Sequence, residues 1–202
     1  TKVLIIQHTF GRPARMQELL EIAKENNLKV IEDSAHTFGA EYAGKKLGTL
    51  GDIGMFSFGS DKPLSSVRGG ALITNDVKLG EKIKNFQNNL AEGSLLNIIQ
   101  HLLHSPVFFL GKPLYGIYLG KLLLALAGTV GLINKIIYPK EKIGEQIAFF
   151  PAKFPNALAE MLLQKLDKIE KINGNRRVVT DFYAKKIKSA KIKIPVSLGE
   201  GE

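Results

Sequence analysis

The 202-residue chain contains no cysteine and no tryptophan. Without cysteine there can be no disulfide framework, thiolate metal site or cysteine nucleophile, and the composition fits a reducing compartment. The cytoplasm is therefore the expected location. Aromatic residues make up only 8%, and the basic residues do not alternate with stacking side chains as a single-strand-binding surface requires. Nucleic acid is not an expected partner, although 28 Lys+Arg against 19 Asp+Glu give a net charge of +9. Residue 1 is threonine, and Lys2 runs directly into Val3-Leu4-Ile5-Ile6 rather than into a leader with a small-residue cleavage site. The chain is thus expected to begin inside a fold. With 45% apolar and 23% charged residues, it has the composition of a globular protein, which excludes disorder, collagen-like repeats and coiled coil for the whole chain.

Acid is missing from one long stretch. Between Gly93 and Lys140 there are four lysines and no Asp or Glu, and the apolar density exceeds that of the rest of the chain. Lys112, Lys121 and Lys135 interrupt it, and the run Leu122 to Asn134 falls short of the roughly 18 to 20 residues that span a bilayer. A transmembrane helix is not expected. Leu95, Leu96, Phe108, Phe109, Tyr115, Tyr118 and Leu122 to Leu126 nevertheless offer more apolar surface than one helical hairpin can hide in itself. Two readings follow: burial against a subunit partner or another part of the protein, and peripheral contact with the inner face of a membrane through 93–140.

The remaining pattern is α/β. Val3 to Gln7 is short and rich in β-branched residues, as expected of a core strand. Pro13 opens a helix from Ala14 to Asn27, and Leu28 to Ile31 begins the next strand, so the two strands should be parallel. Glu32-Asp33 then lies at a strand's carboxyl end, where open α/β sheets bind ligands. An excursion turning at Ala43-Gly44 follows, then strands at Met55 to Phe58 and Ala71 to Thr74. Val77 to Leu90 reads as a helix. Another is expected from Phe154 to Ile172, with Leu158, Met161, Leu162, Leu166 and Ile169 in one apolar stripe.

Familiar phosphate and metal motifs do not survive inspection. Gly39-xxxx-Gly44-Lys45 has Lys46 where a P-loop needs Ser or Thr, and no G-x-G-x-x-G follows a strand. His101 and His104 have no neighbouring carboxylate to complete a metal site, and they read as packed histidines; no metal is expected. Asp33, His36, Ser57 and Lys62 are more informative, because each pair follows a strand of the same sheet. Singly, each has a plain structural role open to it: turn former, packed ring, strand residue, solvated lysine.

The blocks Val30-Ile-Glu-Asp-Ser-Ala-His-Thr-Phe-Gly-Ala40, Gly51-Asp-Ile-Gly-Met-Phe-Ser-Phe-Gly-Ser-Asp-Lys62 and Gly69-Gly-Ala-Leu-Ile-Thr-Asn-Asp76 together resemble the DegT/DnrJ/EryC1/StrS family of pyridoxal-phosphate (PLP) enzymes. These are chiefly sugar aminotransferases of the aspartate aminotransferase fold (fold type I). The resemblance runs from His8 to Asp76 and resumes weakly near Leu163 to Asp167, Arg176-Arg177 and Tyr183. It implies that Lys62 carries the cofactor's Schiff base, that Asp33 pairs with the pyridinium nitrogen and that Ala35 packs on the ring. His36 would lie near the phenolic oxygen, and Ser57 would bind the phosphate. Lysine can form a Schiff base, be displaced by substrate amine and then move a proton between two carbons. A buried carboxylate at the ring nitrogen favours the protonated, electron-accepting pyridine. Relatives with histidine in place of the lysine are sugar dehydratases, so Lys62 speaks for amino transfer.

The resemblance implies a partial large domain with a mostly parallel sheet over 1–92, an apolar helical insertion over 93–140, and a helix with the start of the small domain over 141–202. Family members carry a further region ahead of the first strand, with a phosphate-binding loop. The implied activity moves an amino group from an amino acid, plausibly glutamate, to a keto sugar on a nucleotide or lipid carrier in polysaccharide or amino-sugar synthesis. The implied assembly is a homodimer with shared active sites. The family's Asn-x-Arg turn ahead of its late helix is replaced here by Phe150-Pro-Ala-Lys-Phe-Pro-Asn156. Two rival readings are a catalytically incomplete paralogue serving as a binding or assembly module, and a sugar dehydratase.

Overall fold

The computed structural model describes residues 1–134, 138–147, 150–189 and 192. Strand β1 (Val3–Gln7), helix α1 (Met16–Glu25) and strand β2 (Lys29–Asp33) form the expected unit, with β1 and β2 parallel from Val3 opposite Lys29 to Gln7 opposite Asp33. A small antiparallel hairpin, β3 (Glu41–Tyr42) and β4 (Lys45–Lys46), turns at Ala43-Gly44. Strand β5 (Ile53–Ser57) then lies parallel to β2, and β6 (Gly70–Ile73) closes the sheet antiparallel to β5. The order β1-β2-β5-β6 makes a mostly parallel sheet, as the sequence predicts.

Apolar spacing decides how α1 docks. Met16 and Ala23 point inward and join Ile6 and Val30 in one buried cluster, with Leu19, Leu20 and Leu28 around it. Asn27 takes a left-handed conformation at φ 50°, and the Leu28 amide donates to the Ala23 carbonyl, which turns the chain into β2. Strand β1 joins the core through Ile6, while Ile5 is 65% exposed and Val3 44%, because among the described residues β1 pairs with β2 alone and only one of its faces is covered.

Alternation along β2 sends Val30, Glu32 and Ser34 to one face, where all three are buried. Glu32 is the unusual member. Its Oε2 accepts from His8 Nε2 at 3.1 Å and from the Gly48 amide at 2.9 Å; its Oε1 accepts from the Leu50 and Gly51 amides, each at 2.6 Å. The Ala14 amide donates to His8 Nδ1, so the ring proton sits on Nε2 and points at Glu32. Burial alone would raise the Glu32 carboxyl, but the His8 bond and the amides of Gly48, Gly51 and Leu50 outweigh it and hold the group below the usual carboxylate range. Gly48 fits here because its φ is +89° and an added Cβ would strike the Phe56 ring; a Cβ at Gly54 would run into the Gly48 carbonyl.

After β6 the chain is helical: α2 (Val77–Asn88), α3 (Leu95–Gly111), a 3₁₀ turn (Lys112–Leu114), α4 (Leu119–Thr129), α5 (Pro139–Lys142), α6 (Asn156–Leu166) and α7 (Ile169–Lys186). Asp76 and Ser94 cap α2 and α3 by accepting from the Leu79 and Asn97 amides. The single late helix expected over 154–172 is instead two. The chain breaks at Asp167-Lys168, and the apolar stripe stays in phase across the break. Phe154, Leu162 and Ile169 pack on a second core of Phe56, Phe58 and Leu64, so the late helices brace the loop after β5. Part of the stretch expected to begin a small domain, 193–202, lies outside the described residues.

Replacing Glu32 with Ala leaves three amides and His8 without their acceptor in a dry site. It should destabilise the full-length protein by about 3–5 kcal/mol in urea unfolding, with Gln intermediate. The depressed carboxyl contributes its stability above the ordinary value of about 4.3 and loses it as pH falls through the folded-state value. The E32Q variant should therefore show a shallower acid loss of stability than the parent; equal slopes would show that another group drives the transition.

Candidate active site

Three parallel strands end together, and their carboxyl ends carry the residues singled out above. Asp33 closes β2 opposite Gln7. Its Oδ2 accepts from Gln7 Nε2 at 3.0 Å and its Oδ1 from the Ala35 amide at 3.1 Å, so the carboxylate is held by one donor from β1 and one from the turn after β2. It lies on the face of β2 opposite Glu32. Ala35 is half-buried in the following turn. His36 stacks on Phe10, with ring centroids 5.2 Å apart and planes 13° from parallel, and the Phe10 amide approaches its Nδ1 at 3.5 Å. The loop after β1 thereby meets the loop after β2.

Ser57 ends β5, and its Oγ accepts from the Gly59 amide at 3.3 Å; the hydroxyl proton points elsewhere. Lys62 follows in a tight turn whose amide donates to the Gly59 carbonyl. Its side chain is only 13% exposed, and Nζ sits 2.8 Å from Asp61, whose own side chain is 71% exposed. The Asp61 carboxyl is held below its ordinary range chiefly by the hydrogen bond from Lys62, with a further contribution from the charge of His36. Lys62 and Asp33 do not touch: the partner of Lys62 is Asp61, and the partners of Asp33 are Gln7 and Ala35.

Four groups that the residue types alone did not reveal shape the site: Gln7 on Asp33, Phe10 on His36, Asp61 on Lys62, and the Glu32–His8 pair beneath. Of these, a charged residue within the strand, directly after Val30-Ile31, was the available signal, since buried charges in strands are rare unless paired. A fifth is Val67, which adopts φ +73°, a costly conformation for a β-branched residue. Its amide donates to Ser65 Oγ, and Ser66 Oγ donates to the Arg68 carbonyl. The turn between Lys62 and β6 is therefore held by its own serines. Lys165 Nζ donates to the Ser65 carbonyl at 2.7 Å and Asn173 Nδ2 to the Phe38 carbonyl at 3.1 Å, tying both site loops to the late helices.

A separate cavity of about 700 Å³ lies between the start of β6, the start of α3 and residues 150–155. The Arg68 guanidinium stands at its edge over the rings of Tyr138 and Phe150 and pairs with Glu141 at 2.7 Å. His101, on the cavity wall, and His104 are both buried, and burial lowers the pKa of each; His104 stacks on Phe108. Among the described residues no cluster of three or more His, Asp or Glu is placed to hold a metal ion.

The first half of the chain is similar to known proteins. Residues 1–95 match the DegT/DnrJ/EryC1/StrS aminotransferase family. Within that region the chain is 42% identical over 87 residues to the GDP-perosamine synthase of Escherichia coli O157:H7, covering 43% of this chain and 24% of that enzyme. It is 44% identical over 89 residues to the dTDP-3-amino-3,6-dideoxy-alpha-D-galactopyranose transaminase of Aneurinibacillus thermoaerophilus, covering 44% and 24%. The match thus spans about a quarter of the length of these curated relatives. Two solved structures share the fold over most of the chain. A DegT-family aminotransferase from Brucella abortus aligns with TM-score 0.64 at 22% identity, over 98% of this chain and 41% of that one. A sugar aminotransferase from Streptococcus pneumoniae in its PLP form aligns with TM-score 0.56 at 17% identity, over 92% and 41%.

The Phe10–His36 stack is the most exposed link in the site and can be checked directly. In Phe10→Ala the His36 ring protons should move downfield in the NMR spectrum as they leave the shielding of the neighbouring ring. Unchanged resonances would show that the two loops do not meet in solution.

Proposed function

We propose that the protein is a PLP-dependent sugar aminotransferase, which moves the amino group of an amino acid, glutamate in the simplest case, onto a keto sugar carried by a nucleotide. One observation carries the reading: Asp33, Ser57 and Lys62 stand at the carboxyl ends of neighbouring strands, inside a stretch 42–44% identical to enzymes named for nucleotide-sugar synthesis and transamination. The same reading makes 1–92 part of a cofactor-binding large domain, 93–140 an insertion and 141–202 the start of a small domain. It also includes a cytoplasmic homodimer with shared active sites, which rests on family resemblance.

The residues present fit the cofactor. Asp33 is an anionic acceptor already steered by Gln7 and the Ala35 amide, which leaves oxygen lone pairs for a ring N–H. Ala35 is small enough for a flat ring to approach. Ser57 accepts from Gly59 and so retains its O–H for a phosphate oxygen. Lys62 is the amine within the site, shielded from water and held by one carboxylate. When bound, PLP supplies an electron sink conjugated to the carbon that bears the substrate's nitrogen. Asp33 keeps a proton on the ring nitrogen and so maintains that sink. Lys62 is the residue that would hold the cofactor aldehyde, and its Nζ would move a proton between two carbons of the bound substrate. His36, fixed by Phe10, bounds the pocket on the side of the first strand's loop.

In the full-length protein Lys62→Ala should abolish transamination with the fold intact, and Lys62→Arg should fail as well, because a guanidinium stays protonated. Asp33→Asn should keep its shape and the Gln7 contact but lower turnover by two or more orders of magnitude, with modest loss of cofactor affinity. Steady-state assays beside circular dichroism read both. Near-parental turnover in Lys62→Ala would overturn the assignment.

A further inference from the structure

The α3–α4 hairpin has an apolar face that the described residues do not cover. The inner faces meet through His101, His104, Val107 and Gly111 of α3 and Gly120 and Ala127 of α4, all buried. The outer faces follow helical spacing of their own. Leu95, Ile99, Leu102 and Phe109 recur along α3, and Leu119, Leu122, Leu126 and Val130 along α4 and its cap, each at least 37% exposed. At the tip Phe109, Leu110, Ile117 and Tyr118 are between 64% and 79% exposed. This continuous apolar surface is of the kind that marks an interaction site.

Charge indicates what it meets. Gly93 to Lys140 holds lysines and no acid. Lys112 lies in the tip turn, and Lys121 Nζ stands 4.4 Å from the centre of the Tyr118 ring and 5.3 Å from that of Tyr115. A lysine flanked by two exposed tyrosines beside an apolar stripe is the arrangement that settles at a lipid headgroup layer, where the rings take the boundary and the ammonium reaches the phosphates. Two copies meeting through this face would bring their lysines together with no acid in the segment to receive them, which disfavours self-association. No helix among the described residues is long and apolar enough to cross a membrane, so the hairpin can lie on a bilayer but not span it.

We propose that the α3–α4 hairpin docks the protein on an anionic membrane surface, with Phe109, Ile117 and Tyr118 entering the headgroup boundary and Lys112 and Lys121 on the lipid phosphates. This inference is independent of the catalytic assignment. Its test is flotation of the full-length protein with phosphatidylcholine vesicles, with and without phosphatidylglycerol, at low and high salt. Binding should require the anionic lipid and weaken with salt. The Lys112→Gln/Lys121→Gln double variant should bind at least about tenfold more weakly, and Phe109→Ser/Ile117→Ser should lose binding while keeping the parent's sedimentation mass and circular dichroism. Each variant alters only exposed side chains, so the fold is retained. No flotation with anionic vesicles overturns the proposal, as does flotation that neither variant weakens. So does an oligomer that falls apart in Phe109→Ser/Ile117→Ser, which would assign the face to a subunit contact.

Discussion

Glu32 is a carboxylate with no access to water, and four donors from two separate segments converge on it. His8 comes from the end of β1, and the amides of Gly48, Leu50 and Gly51 come from the loop that leads into β5. Remove the charge and the loop ahead of β5 loses what fixes its path, and with it the register that sets Asp33 opposite Met55. A buried ion is retained only where its surroundings are this complete, because desolvation otherwise outweighs the attraction. The pair does no chemistry in this account. It ties the end of β1 and the loop ahead of β5 to β2, and the period of two along β2 places the neighbouring carboxylate, Asp33, on the opposite face.

The second constraint acts on Lys62. The loop that carries it leaves β5 over Phe58 and Leu64, and both are covered by residues of the late helices and the segment before them. Lys165 and Asn173 add polar ties to the two site loops. A left-handed Val67 in the same stretch persists because these contacts outweigh its strain. Positioning of this kind suits the proposed amino transfer, in which one amine would have to reach two carbons in turn.

Much of this was legible in the residues. Val3 to Gln7 reads as a strand, Ala43-Gly44 reads as the turn of a hairpin or extended excursion, and the order strand-helix-strand sets Asp33 at a carboxyl end. Recognition of the family rested on the blocks from His8 to Asp76, and the matched region agrees with it. What stayed hidden was non-local. Nothing near Glu32 in sequence announces that amides sixteen to nineteen residues later fold back onto it. The exposure of β1 depends on the absence of a neighbour on its outer side, not on its own apolar run. The break at Asp167-Lys168 escaped notice because Leu162, Leu166 and Ile169 keep one phase on either side of it. Asp61, by contrast, was in plain view beside Lys62, but only geometry shows it as the lysine's partner.

The account's central claim is that Lys62, among 28 Lys and Arg residues, is the one amine built to receive PLP. Borohydride reduction of the full-length protein after incubation with PLP, followed by peptide mass spectrometry, addresses that claim most directly. The account predicts a pyridoxyl mass on the peptide containing Lys62 and its loss when substrate amine is added first. Modification spread over the surface lysines, or concentrated on any other lysine, would contradict it.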